Sequence, residues 1–360
     1  MFSFLCRDSG YAFEPERALD SRAELNAALL CVDFPNKPAA ASLHPEPSYF
    51  YELLVKDGLR VLEKLSYGRF RLNVRLIDRW FTMPKNDDEY GMERVISYET
   101  HRNYIRDALD ASCEEVDYDA LDLLYIVPVH GSAVPYSPTM VMKNSPIPAK
   151  NGSGIGSVVT FGADLYYRKG KLFAHETGHL LGLPDLYTYS VPEGCRDCFS
   201  LTGAFDLMGL IEGAAPDYLG YSKWRLGWMD DEQVTVVNAG GSGDFTLTGA
   251  EIAGGSKLIL LPVDECEGYV VEYRRCAGLD VFLEQDGVLV YRVDGKLGSG
   301  EGPVTVIPPR EEQYRALNPR KGEGLLLEGD FIELPDGDSI GRKEIRVTSL
   351  GGGTVRIERT

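Results

Sequence analysis

The chain has 360 residues, enough for one large domain or two ordinary ones at roughly 150 residues each. Asp and Glu total 55 against 37 for Lys and Arg, and the resulting formal charge of −18 excludes the phosphate-neutralising surface of a nucleic-acid binder. Hydrophobic residues at 44% and charged residues at 26% are ordinary for a globular protein, and the longest apolar stretches, 121–129 and 258–263, fall far short of the roughly 20 residues that span a bilayer.

The amino terminus, MFSFLCRDSGYAFEPER, begins apolar but meets Arg7 and Asp8 before a signal-peptide core of about 7 to 15 residues forms. No export signal is expected there, which predicts a cytoplasmic protein if Met1 is the native start. The seven cysteines are too few for a disulfide-stapled scaffold, and their odd number leaves one thiol over unless it pairs between chains.

Residues 23–34 run apolar up to Pro35 and predict a buried strand. In 49–68, Leu53, Leu54, Leu59, Leu62 and Leu65 recur at helical spacing and Gly68 can close the last turn. RFRLNVRLIDRWF, 69–81, alternates apolar and polar residues and predicts a half-buried strand. A second helix is expected over 91–115, and the continuous apolar run LDLLYIVPVHG, 121–131, reads as a central strand. A Pro-, Ser- and Gly-rich loop follows over 132–156, then strand-like SVVTFGADL at 157–165. From about 232 onward the chain offers only short β-rich runs separated by Gly, Asp and Pro. The expected organisation is an α+β catalytic domain over 1–230 joined to a β-rich, sandwich-like module over 231–360.

His175, Glu176 and His179 form the pattern H-E-x-x-H. Residues four apart on a helix lie about 40° from one another, so both imidazoles reach one ion while Glu176 points at its open position. Chance alone yields this pattern in roughly one unrelated chain per hundred, but two of only five histidines fall here, in a helix-permissive stretch ending at Gly182. A glycine there can take the positive φ that ends a helix, and Asp185 follows three residues later, where a tight turn can return its carboxylate to the ion. His130, from a neighbouring strand, and Glu193, beyond the turn, are the rivals for this third place. The extended pattern, H-E-x-x-H-x-x-G-x-x-D, is similar to the metzincin signature with Asp in place of the third His, and Met208 in AFDLMGL stands where such enzymes carry a supporting methionine turn.

HETGHLLGLPDLY, FDLMG and APDYLGYSKWRLGW (215–228), with VDFPNK, SYGRFRLNV, WFTMP and DYDALDLLYIVPVHG upstream and YVVEYRR and GVLVYRVD downstream, together resemble the immune inhibitor A family of bacterial secreted zinc metalloproteases. The likeness covers about 25–295. It implies a metzincin-like zincin fold, an extracellular location and zinc endopeptidase activity, with His175, His179 and Asp185 matching the metal ligands, Glu176 the general base and Met208 the turn. One catalytic Zn2+, protein or peptide substrates and a monomer are expected. An extended peptide would lie beside an edge strand placed within 157–165, because edge pairing holds a chain whatever its side chains. The rival is a non-catalytic adhesion or binding protein in which the zinc is structural, although such a site gains nothing from Glu176.

Other features have plainer readings. Cys195 and Cys198 lack two further ligands for a second zinc site and read as a local disulfide or thiols, while Cys266 and Cys276 are candidates for a bridge across a hairpin. Cys6 reads as an isolated thiol. His101 is expected on a helix surface and His130 at a strand end. The acidic runs 87–89, 114–115 and 230–232 read as solvated faces; structural Ca2+ at one of them would suit an extracellular family, but no EF-type spacing occurs.

Overall fold

A computed structural model describes residues 18–238, 241–310, 317–318, 322–334 and 343–359; Cys6 and the amino-terminal segment lie outside them. The fold is α+β. Its described residues divide into two compact units, one of 18–63 and 70–182, the other of 64–69 and 183–359.

The first unit is built on a five-stranded sheet. β1 (Glu24–Asp33) and β3 (Leu123–Pro128) pair in parallel at its centre. Covered on both faces, they carry the near-continuous apolar sequence that such strands require. β2 (Arg71–Thr82) lies parallel to β1 at one edge, where its alternating sequence leaves a polar face exposed. β7 (Ser157–Thr160) pairs in parallel with β3, and β4 (Thr139–Val141) closes the other edge antiparallel to β7. The edge strand expected within 157–165 is therefore interior, and the true edge comes from the segment read as loop. A three-residue strand just after Pro138 offers no period for sequence reading to detect. β5 (Ile147–Pro148) and β6 (Gly154–Ile155) form a small ribbon.

The leucine-spaced segment is one helical run: α1 (Pro47–Phe50), a π-helical turn Tyr51–Lys56, and α2 (Asp57–Leu65). It ends where Tyr67 and Gly68 take positive φ of 55° and 73°. α3 (Tyr98–Ser112) begins later than expected because Ser97 caps it, its hydroxyl accepting the Thr100 N–H at 3.0 Å. His101 on this helix is fully buried, with Nε2 3.0 Å from the Thr160 hydroxyl, which corrects the surface placement. Its face of α3 turns toward the sheet, where Tyr104, Ile105 and Leu109 are also buried.

α4 (Leu165–Leu180) carries the H-E-x-x-H motif and bends at Lys169, whose φ is 51°. It meets α2 backbone to backbone. A Cβ on Gly170 would stand 2.6 Å from the Gly58 nitrogen, and one on Gly58 would stand 2.3 Å from the Phe173 ring. Only glycine permits this approach, which fixes α4 against its neighbour.

In the second unit, β8 (Val234–Val236), β10 (Leu258–Pro262), β11 (Glu267–Arg274), β12 (Gly287–Asp294) and β13 (Val304–Val306) form a sheet in the order β13-β12-β11-β10-β8. β9 (Gly243–Thr246), β14 (Phe331–Leu334), β15 (Lys343–Ser349) and β16 (Thr354–Arg359) form another in the order β14-β15-β16-β9. Ile259, Val271 and Val290 of the first share a core with Ile332, Ile345 and Val355 of the second, the two-layer arrangement that the short β-rich runs predict. Cys266 and Cys276 flank β11 at opposite ends, about 27 Å apart at 3.4 Å per residue, so no bridge joins them. The loops before β8 are tied to β11 by buried charge: Arg274 pairs with Glu272 at 2.9 Å and Asp280 at 2.7 Å and donates to the Asp217 carbonyl. Lys223, on α5 (Gly220–Arg225), pairs with the Asp217 carboxylate at 2.7 Å.

Candidate metal centre

His175 and His179 lie one turn apart on α4, their ring centroids 4.8 Å apart and their planes at 87°. Hydroxyls anchor this part of the helix, the Thr177 and Tyr125 oxygens lying 2.7 Å apart between α4 and β3. The helix then stops: the Gly182 N–H bonds to the His179 carbonyl at 2.9 Å, and Gly182 takes a φ of 93°, the conformation the sequence requires of it. The chain reverses and Asp185 follows. His175, His179 and Asp185 are 4%, 7% and 6% exposed, and each offers a ligand atom within 4.8 Å of the other two. Among the described residues this is the one group of three or more ligand-type side chains so disposed. His130 stands outside it, stacked edge-on against Tyr166 and His44, and Glu193 is exposed.

Two imidazoles and a carboxylate are a donor set that zinc takes. Bonds of about 2.0–2.1 Å in a tetrahedral site put ligand atoms about 3.3 Å apart, so the observed spacing needs only small side-chain adjustments to close on one ion.

Glu176 is 5% exposed, and its Oε2 accepts a 2.7 Å hydrogen bond from the Thr139 hydroxyl on edge strand β4. Burial pushes its carboxyl above the ordinary range, while His175, His179 and the Thr139 hydroxyl pull it back. Asp185 is held by one residue close in sequence and one distant from it. Its N–H donates to the Ser299 hydroxyl at 2.8 Å, and its Oδ2 accepts from the Tyr189 hydroxyl at 2.9 Å and from Ser299 at 3.3 Å.

Met208 is fully buried in a turn closed by the Gly209 and Leu210 N–H groups on the Asp206 carbonyl. Asp206, with a φ of 78°, accepts the Met208 and Leu219 N–H groups, each at 2.8 Å, and burial pushes its carboxyl up to about 6. The Met208 carbonyl accepts the Leu186 N–H at 2.9 Å, which joins this turn to the residue after Asp185.

Sequence reasoning missed Thr139, Tyr189 and Ser299. Tyr189, four residues past Asp185, was within local view, whereas nothing in the sequence links Ser299 to a residue more than a hundred positions earlier. No family model and no curated protein matches the chain.

Proposed function

We propose that this chain is a zinc-dependent endopeptidase of the metzincin-like kind that its motifs resemble. The observation that carries the reading is the buried trio His175, His179 and Asp185 beside Glu176. Zinc bound by such a trio supplies Lewis acidity toward a carbonyl oxygen and makes bound water a stronger acid. Glu176 takes a proton from the attacking water and passes it to the leaving amide nitrogen, the Thr139 hydroxyl fixing its carboxylate in place. β4 presents the edge against which an extended peptide would pair, and Thr139 at its start links that edge to the base. This assigns substrate binding to 139–141 in place of 157–165.

The test is digestion of a denatured protein mixture with and without a zinc chelator, with product ends mapped by mass spectrometry. Cleavage that stops on chelation and returns with added zinc is expected. Its absence would favour the non-catalytic binding protein.

A further inference from the structure

We propose that the turn joining β12 to β13 is a clasp that orients the third metal ligand, with Ser299 and Tyr189 as positioning residues for Asp185. The proposal rests on the metal-site reading above and adds to it a device from the β-rich segment. Its hydrogen bonds form a closed set. The Asp185 N–H donates to the Ser299 oxygen at 2.8 Å, and the Ser299 hydroxyl in turn donates to Asp185 Oδ2 at 3.3 Å, so one serine bridges the backbone and side chain of the same residue. The Tyr189 hydroxyl adds a second donor to Oδ2 at 2.9 Å and lies 3.2 Å from the serine oxygen. Two donors on one carboxylate oxygen fix its torsion, and with it the direction from which the carboxylate can meet an ion.

The backbone holds the same parts together. The Tyr189 N–H bonds to the Gly300 carbonyl at 2.9 Å, the Gly300 N–H reaches the Asp185 carbonyl at 3.3 Å, and Thr188 bridges to Gly300 and Glu301. The turn is itself stapled, the Gly298 N–H donating to the Glu301 carboxylate at 2.6 Å. Gly300 has a φ of 75°, and a Cβ there would stand 2.3 Å from the Tyr189 ring, so the ring lies flat across a position only glycine can fill. Tyr189 is 63% exposed, yet its hydroxyl is directed at a buried carboxylate. A tyrosine kept only for packing would bury its ring instead.

Positioning partners of metal ligands typically change affinity by about 10- to 100-fold when removed. The test is zinc affinity of the full chain by competition with a chromophoric chelator, read beside the melting temperature of the chelator-treated protein. Tyr189→Phe and Ser299→Ala should each weaken zinc binding by about 10-fold or more while the melting temperature without metal stays within about a degree, and Ser299→Thr should restore much of the loss. Unchanged affinity in both variants would overturn the clasp, as would a loss matched by an equal fall in metal-free stability. Failure of the underlying reading looks different: the parent chain would bind no zinc, or Asp185→Ala would bind it as tightly as the parent.

Discussion

Burial at His101 sets a large pH dependence on the first unit. The ring is fully buried on α3, and burial lowers its pKa from the ordinary 6.5 to about 3. The folded state therefore holds it neutral, while the unfolded chain takes up a proton below about pH 6.5. Stability is greatest above that value and is lost as pH falls toward 3. Between pH 7 and pH 4.5 the unfolded state gains about two pKa units of advantage, or about 2–3 kcal/mol. With a urea slope near 3 kcal/mol per molar, the midpoint should drop by roughly 1 M from this residue alone. Carboxylates titrate over the same range, so the informative quantity is the difference between the parent and His101→Gln, whose amide can still reach Thr160 but takes up no proton. The variant should start less stable at pH 7 and lose about 2–3 kcal/mol less on acidification. Parallel pH curves for the two proteins would refute the assignment of a buried neutral imidazole.

Gly58→Ala should destabilise the chain by about 1–3 kcal/mol, because the added methyl would lie 2.3 Å from the Phe173 ring; thermal melting checks this, and a change within a few tenths of a kcal/mol would mean that α2 and α4 are not so close. Thr139→Val should leave zinc content unchanged and lower kcat by about 10- to 100-fold, since it removes a hydrogen bond to a charged group worth about 1.5–3 kcal/mol while preserving side-chain shape. Glu176→Gln should keep zinc yet lose peptide hydrolysis by several orders of magnitude; steady-state cleavage of a fluorogenic peptide reads both, and more than about a tenth of parental activity in Glu176→Gln would mean another residue is the base.

Where a local pattern and its environment agreed, the sequence was legible. β1 from Ala27 to Val32 and β3 are apolar because they are covered on both faces, β2 alternates because it lies at an edge, and Gly182 had to turn because a helix ended there. The trio could be read because all its members fall within residues 175–185. What escaped depends on contacts that no local window contains. β4 owes its strand to pairing with β7, not to its own three residues. His101 sits among polar neighbours in YETHRNY, and only the packing of α3 onto the sheet shows which side it faces. Ser299 belongs to the centre through a turn more than a hundred residues downstream.

The most direct test of the central claim is zinc content at equilibrium in the parent chain, Asp185→Ala and Glu193→Ala, measured by elemental analysis after dialysis against buffered zinc. The parent and Glu193→Ala should each hold about one ion per chain, and Asp185→Ala should hold far less at the same free zinc. Full occupancy in Asp185→Ala would contradict the His175, His179 and Asp185 centre on which the proposed function rests.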